Sequence, residues 1–108
     1  MAPDPDRREF SRLAASPDTR CDLTIDHRVI FRALAVENVS PAGVRLRVDF
    51  PVPPGNVLNA RLEDPARAVV CSRLVRVVYC YQEAGAYRLG GFFGRGIHTS
   101  DVEALAAP

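Results

Sequence analysis

Two residue patterns in this chain have the types and spacing to do chemistry. Arg7, Arg8, Glu9, Phe10, Ser11 and Arg12 read RRxxxR, and Asn38, Val39, Ser40, Pro41, Ala42 and Gly43 read NxSxxG. All fourteen basic residues are arginine. Every cation is therefore a planar fork, able to grip a phosphate, a carboxylate or a guanine edge through two parallel hydrogen bonds. Asn38 and Ser40 are short donors and acceptors that can reach phosphate or base from a fixed turn. Gly43 supplies either a positive φ or a close backbone approach. The formal charge is only +1, so no overall field gathers a polyanion or an anionic membrane, and an anion site has to be local.

Catalysis has little to work with. His27 lies in an apparent turn, DHR, and His98 precedes the last apolar residues; nothing joins either to a serine or cysteine nucleophile. The carboxylates are scattered, with no HExxH, no calcium loop and no GxxxxGK[ST]. Gly90, Gly91 and the GRG at 94–96 lack the strand-turn-helix frame of a dinucleotide fold. Cys21, Cys71 and Cys80 are odd in number, with no CxxC and no histidine at zinc spacing, and are expected as buried thiols. The reading is a protein that is not an enzyme and holds no metal or cofactor.

The elements that must position the two motifs are strands. The length of 108 residues, 47% of them hydrophobic and 25% charged, suits one domain, read as an arm over 1–20, a barrel over 21–98 and a short helix or tail over 99–108. The arm is polar and proline-bearing, with one helical turn expected around RREFSRLAA. Strands are expected at 21–25, 29–37, 43–50, 57–62, 68–81 and 87–93. Val44, Leu46, Val48 and Phe50 alternate with Arg45, Arg47 and Asp49, as on a half-buried strand. The run from Ala68 to Tyr81 is too long to stay flat and should bend at a bulge, with Tyr79 and Tyr81 on one face. FPVPPGN and 82–86 are turns, and Ser100 with Glu103 has capping-box spacing ahead of a closing helix that must lie on the barrel or fray. No apolar run reaches the ~20 residues of a membrane span. MAPDPDRREF has no apolar signal region, so a cytoplasmic chain without membrane insertion is expected.

An RRxxxR arm ahead of a barrel, followed by NxSxxG at the turn leaving its second strand, resembles the PilZ domain family, bacterial receptors for the second messenger cyclic di-GMP. GVRLRV after the turn and YRLGGFF, with Gly90 and Phe93 in a GxxF pattern, extend the resemblance over nearly the whole chain. The resemblance implies an all-β fold, a six-stranded antiparallel β-barrel with a flexible N-terminal arginine arm that folds over one side when ligand is bound. It implies that Arg8 and Arg12 hold guanine and phosphate and that Asn38, Ser40 and Gly43 form the second half of the site. Arg7 precedes RxxxR where, in the family, arginine is associated with an intercalated ligand dimer. Family members often carry a longer C-terminal helix than this chain has room for. The expected function is a receptor whose arm-docked state is read by an unidentified downstream protein. The alternative is a PilZ-like interaction adaptor that binds no nucleotide. A single-strand-binding barrel fits less well, because aromatics are 7% of the chain and Arg7, Arg8 and Arg12 are balanced by Asp4, Asp6 and Glu9.

Overall fold

The computed structural model describes residues 13–25 and 28–106. Within them, eight strands form one antiparallel sheet: β1 (Leu13–Ala14), β2 (Arg20–Ile25), β3 (Val29–Arg32), β4 (Ala35–Val39), β5 (Gly43–Val48), β6 (Val57–Asp64), β7 (Val69–Glu83) and β8 (Ala86–Phe93). Their spatial order is β1-β4-β5-β8-β7-β6-β2-β3. One helix, α1 (Thr99–Leu105), follows the last strand. The expected all-β architecture is present, with two differences in strand count. The run expected as one strand over 29–37 is broken at Ala33 and Leu34 into β3 and β4, and the end of the expected arm contributes β1.

The break at Ala33 and Leu34 brings the two halves of the sheet together. Ala33 N–H donates to the Cys21 carbonyl of β2 at 2.9 Å and Leu34 N–H to the Arg47 carbonyl of β5 at 2.8 Å. A straight strand could not bond to both, so the chain turns there and the sheet curls without closing its ladder.

Alternation fills the inside of that curl. Leu46 and Val48 of β5, Leu58 and Leu62 of β6, Val75 and Val77 of β7 and Leu89 of β8 are all buried in one core. Fully burying an aliphatic side chain is worth about 1.5–3 kcal/mol, so this set dominates the driving force for folding. The outer face is polar in part, with Asp22 and Arg32 paired across β2 and β3 (Nε to Oδ1, 2.8 Å).

Two bulges reset the alternation. In β7 the pairing with β8 slips between Val77 and Tyr79, so Val78 is the extra residue and outward positions change from even to odd numbers. Val78 is exposed, and Tyr79 and Tyr81 stack on the same outer face with ring centroids 5.7 Å apart. This is the expected bend. In β4 the register with β5 slips between Val36 and Asn38, so Glu37 and Asn38 both lie between the buried Val36 and Val39.

The end of the chain closes one mouth of the curl. Val102 and Leu105 of α1 are buried. The Leu105 carbonyl accepts from Ser16 N–H at 2.9 Å and from Thr19 Oγ1 at 2.7 Å. Residues 13–20 are therefore packed structure and not part of an exposed arm, and Leu13–Ala14 is a strand where a helical turn was expected. The helix also starts differently: His98, exposed, is the N-cap without a side-chain hydrogen bond, and Ser100 lies inside the helix. The capping box read from Ser100 and Glu103 does not form. Packing of Val102 and Leu105 settles the helix instead.

Candidate ligand-binding face

The NxSxxG segment spans the end of β4 and the start of β5. Ser40 N–H donates to the Gly43 carbonyl at 2.9 Å. The Ser40 hydroxyl oxygen accepts from Ala42 N–H at 3.2 Å and Gly43 N–H at 3.1 Å. With 5% of its surface exposed, Ser40 spends its hydroxyl on shaping the turn. Two carbonyls on the turn are also taken, Ala42 by Phe93 N–H at 2.7 Å and Pro41 by Ile97 N–H at 3.0 Å. The turn is held from inside and outside, which gives a neighbouring ligand a fixed wall.

Gly43 resolves the choice the sequence left open. Its φ is not positive. A Cβ placed there would instead collide with the Gly91 carbonyl and come within 3.3 Å of Phe92 Cδ1, so close approach of β5 to β8 is what requires glycine. Gly90 has a related role on the outer face, where a Cβ would run into the ring of Tyr79. Its missing side chain lets that ring lie flat over β8.

Asn38 sits across from Arg45 in the β4–β5 ladder. With its amide oriented to satisfy both partners, its oxygen accepts from Arg45 Nε at 3.3 Å and Nη2 at 3.2 Å. Arg45 also contacts Glu37, Nε to Oε1 at 3.1 Å. Arg88, on β8, reaches the same carboxylate, with Nε 2.9 Å from Oε1 and Nη2 donating to Oε2 at 3.2 Å. Its Nη1 lies 3.2 Å from Glu83 Oε1. Tyr81 first, and Glu37 second, hold the Arg88 guanidinium further toward its charged form than usual.

Arg7, Arg8 and Arg12, with Phe10, lie outside the described residues, as does His27. The structure does fix where their segment enters the fold. β1 pairs Leu13 with Val39 and Ala14 with Asn38. Leu13, the residue that follows Arg12 in the chain, therefore pairs with a residue of the NxSxxG segment, although the motifs begin about thirty positions apart in sequence. Leu13 itself is more than a third exposed.

Glu37, Arg45, Arg88 and the Tyr79–Gly90 contact were not singled out as site residues from sequence. The outward placement of Arg45 follows from its alternation in GVRLRV, but the convergence with Arg88 on Glu37 depends on β4–β5 and β5–β8 pairing. Among the described residues no group of three or more histidine, cysteine, aspartate or glutamate side chains is placed to hold a metal ion, and no helix is long and apolar enough to cross a membrane.

No protein-family model matches the chain, and no curated protein matches it. Solved structures do. One is the PilZ domain with c-di-GMP of YcgR from Escherichia coli, at TM-score 0.69 and 15% identity, over 92% of this chain and 86% of that one. Another is the Bacillus subtilis inhibitor of motility, MotI/DgrA, also at TM-score 0.69 and 15% identity; it covers 92% of this chain, which spans about half, 47%, of that protein. The match over nearly the whole length shows one thing: this chain has the PilZ fold.

Proposed function

We propose that this chain binds cyclic di-GMP against the outer face of β4, β5 and β8, with Arg7, Arg8 and Arg12 closing over the ligand and Asn38, Ser40 and Gly43 forming the opposing turn. The observation that carries this reading is the β1–β4 register, which sets Leu13 beside Val39 and so brings the arginine segment to the corner where the turn lies. The E. coli domain with the same fold, whose structure includes c-di-GMP, supports the choice of ligand. In this arrangement Arg8 and Arg12 take guanine and phosphate, Arg7 favours an intercalated dimer, Asn38 offers its amide, and Ser40 and Gly43 hold the turn in shape.

The magnitudes are consistent. Each bidentate contact to guanine is worth about 1–3 kcal/mol, and a micromolar dissociation constant needs about 8 kcal/mol. Ordering a segment costs on the order of 1 kcal/mol per residue fixed. Residues 13–20 are already packed against β4 and α1, so that cost does not fall on them. Ligand then favours the arm-docked state by its differential affinity, and the altered surface is read by a partner protein.

Calorimetric titration of the chain with cyclic di-GMP tests the reading. Arg8→Ala and Arg12→Ala should each weaken binding at least about tenfold, the loss of one such contact, with no change in melting temperature. Absence of heat at tens of micromolar folded protein would overturn it. One observation favours an adaptor reading as the second choice: Phe92 and Leu74 are each 56% exposed on adjacent strands, a surface suited to a protein partner. Partner capture that is indifferent to the nucleotide would support that alternative.

A further inference from the structure

Arg45 and Arg88 stand on neighbouring strands, β5 and β8, and turn their guanidinium groups to the same carboxylate. Glu37 follows the inward Val36 and so points outward toward both, and the bulge after it sets Asn38 across from Arg45 on the same face. The fit is only partly hydrogen-bonded, through Arg88 Nη2 to Glu37 Oε2. Glu37 Oε1 and Arg88 Nε are both buried from water, yet neither completes an aligned hydrogen bond, despite their 2.9 Å separation. A guanidinium edge that uses its Nη2–H on Glu37 Oε2 but leaves its Nε–H unused is a seat its occupant fills only in part. Arg45 also bonds Asn38, so this seat adjoins the turn assigned above.

We infer that Arg45 and Arg88 form an anion seat for one phosphate of the ligand and that Glu37 occupies it as an internal competitor. The inference rests on the proposed site and adds to it two cations and the residue that opposes them. A phosphate oxygen pair offers each guanidinium the planar, two-bond geometry that the single carboxylate divides between them. Glu83 remains on Nη1 of Arg88, and Tyr81 beside it, so Arg88 keeps its place when Glu37 is displaced. The cost of displacing Glu37 lowers affinity, and the carboxylate cancels one of the two positive charges that the empty face would otherwise show to other anions.

The test uses the full chain and Glu37→Gln, which removes the charge at constant shape. Its affinity for cyclic di-GMP should rise roughly two- to fivefold at low salt, the size expected for releasing a partly exposed ion pair, and fall more steeply as salt is added. In parallel, arginine Nε–H resonances are followed while inorganic pyrophosphate is added. Two of them, lost on Arg45→Gln and Arg88→Gln respectively, should shift at lower pyrophosphate in Glu37→Gln than in the parent chain. Glu37→Asp, which keeps the charge but shortens its reach, serves if Glu37→Gln does not fold, and should move both readouts in the same direction. Unchanged or weaker nucleotide binding in a folded variant, with resonances that pyrophosphate does not move, would overturn the seat. Pyrophosphate shifts without any cyclic di-GMP binding would uphold the seat and overturn the assigned nucleotide.

Discussion

Gly43 lies against the Gly91 carbonyl of β8, and no side chain fits between them. Gly43→Ala should therefore destabilise the fold by about 1–3 kcal/mol, the usual cost of overpacking, as read by urea denaturation. Because the same displacement moves the turn wall, ligand affinity should fall with it. Ser40 acts alongside: its hydroxyl is used up inside the turn, so its contribution to any ligand runs through the shape it imposes. Cys21 shows the opposite use of burial. It is fully buried, and desolvation first, with Asp22 second, pushes its thiol from 9.0 up to about 12. A raised folded-state pKa gives stability that is complete below 9.0 and lost as pH rises from there toward about 12. Urea midpoints measured between pH 8 and 11 should fall less steeply for Cys21→Ala than for the parent chain. Iodoacetamide at pH 8 should label the half-buried Cys80 well before Cys21.

At the scale of elements, the hairpin joining β7 to β8 turns through Ala84 and Gly85, both with positive φ, 54° and 81°. That is the backbone of a two-residue hairpin turn in which asparagine-glycine is the favoured pair. Ala84→Asn should raise stability by up to about 1 kcal/mol in thermal or urea unfolding, because a left-handed conformation is costly for alanine. The helix gives a contrasting case. α1 has seven residues and no side-chain cap, so local propensity alone would not hold it. It persists because Leu105 is buried and its carbonyl binds Ser16 and Thr19. The capping spacing at Ser100 was a correct sign that a helix closes the chain but an incorrect sign of where it begins, since packing overrides a cap at a helix end.

At the scale of the whole molecule, the segment over 15–19, α1 and the core form one unit around the mouth of the sheet. Leu105→Ala should cost about 2–5 kcal/mol through the cavity it leaves, measured by urea denaturation. It should also loosen Ser16 and Thr19, and through them β1. Ligand affinity should then fall although Leu105 lies in the core, because in the proposed site β1 is the element that connects the arginine segment to the sheet beside the turn. A merely local cavity would lower stability and leave affinity unchanged.

Alternation in β5, the turn prolines and glycines, the bend in the long strand and the two motifs were all legible in the residues, because hydrophobic period and turn chemistry are local properties. The outer position of Arg45 and the shared face of Tyr79 and Tyr81 followed from the same period, whereas the outward side of the two tyrosines depends on the bulge at Val78. Other features depended on pairing between distant segments. The break at Ala33 and Leu34 exists to bond β2 and β5 at once, and β1 exists because β4 offers it an edge. Gly43 was legible as a special position, but only β8 decided that the reason is space and not φ. Glu37 meets both Arg45 and Arg88 only because β4, β5 and β8 lie side by side, and Asn38 faces Arg45 through a one-residue slip in register that no spacing along the chain records. Local chemistry thus wrote the strands and motifs into the sequence, while contacts across the sheet chose which residues meet at the proposed site.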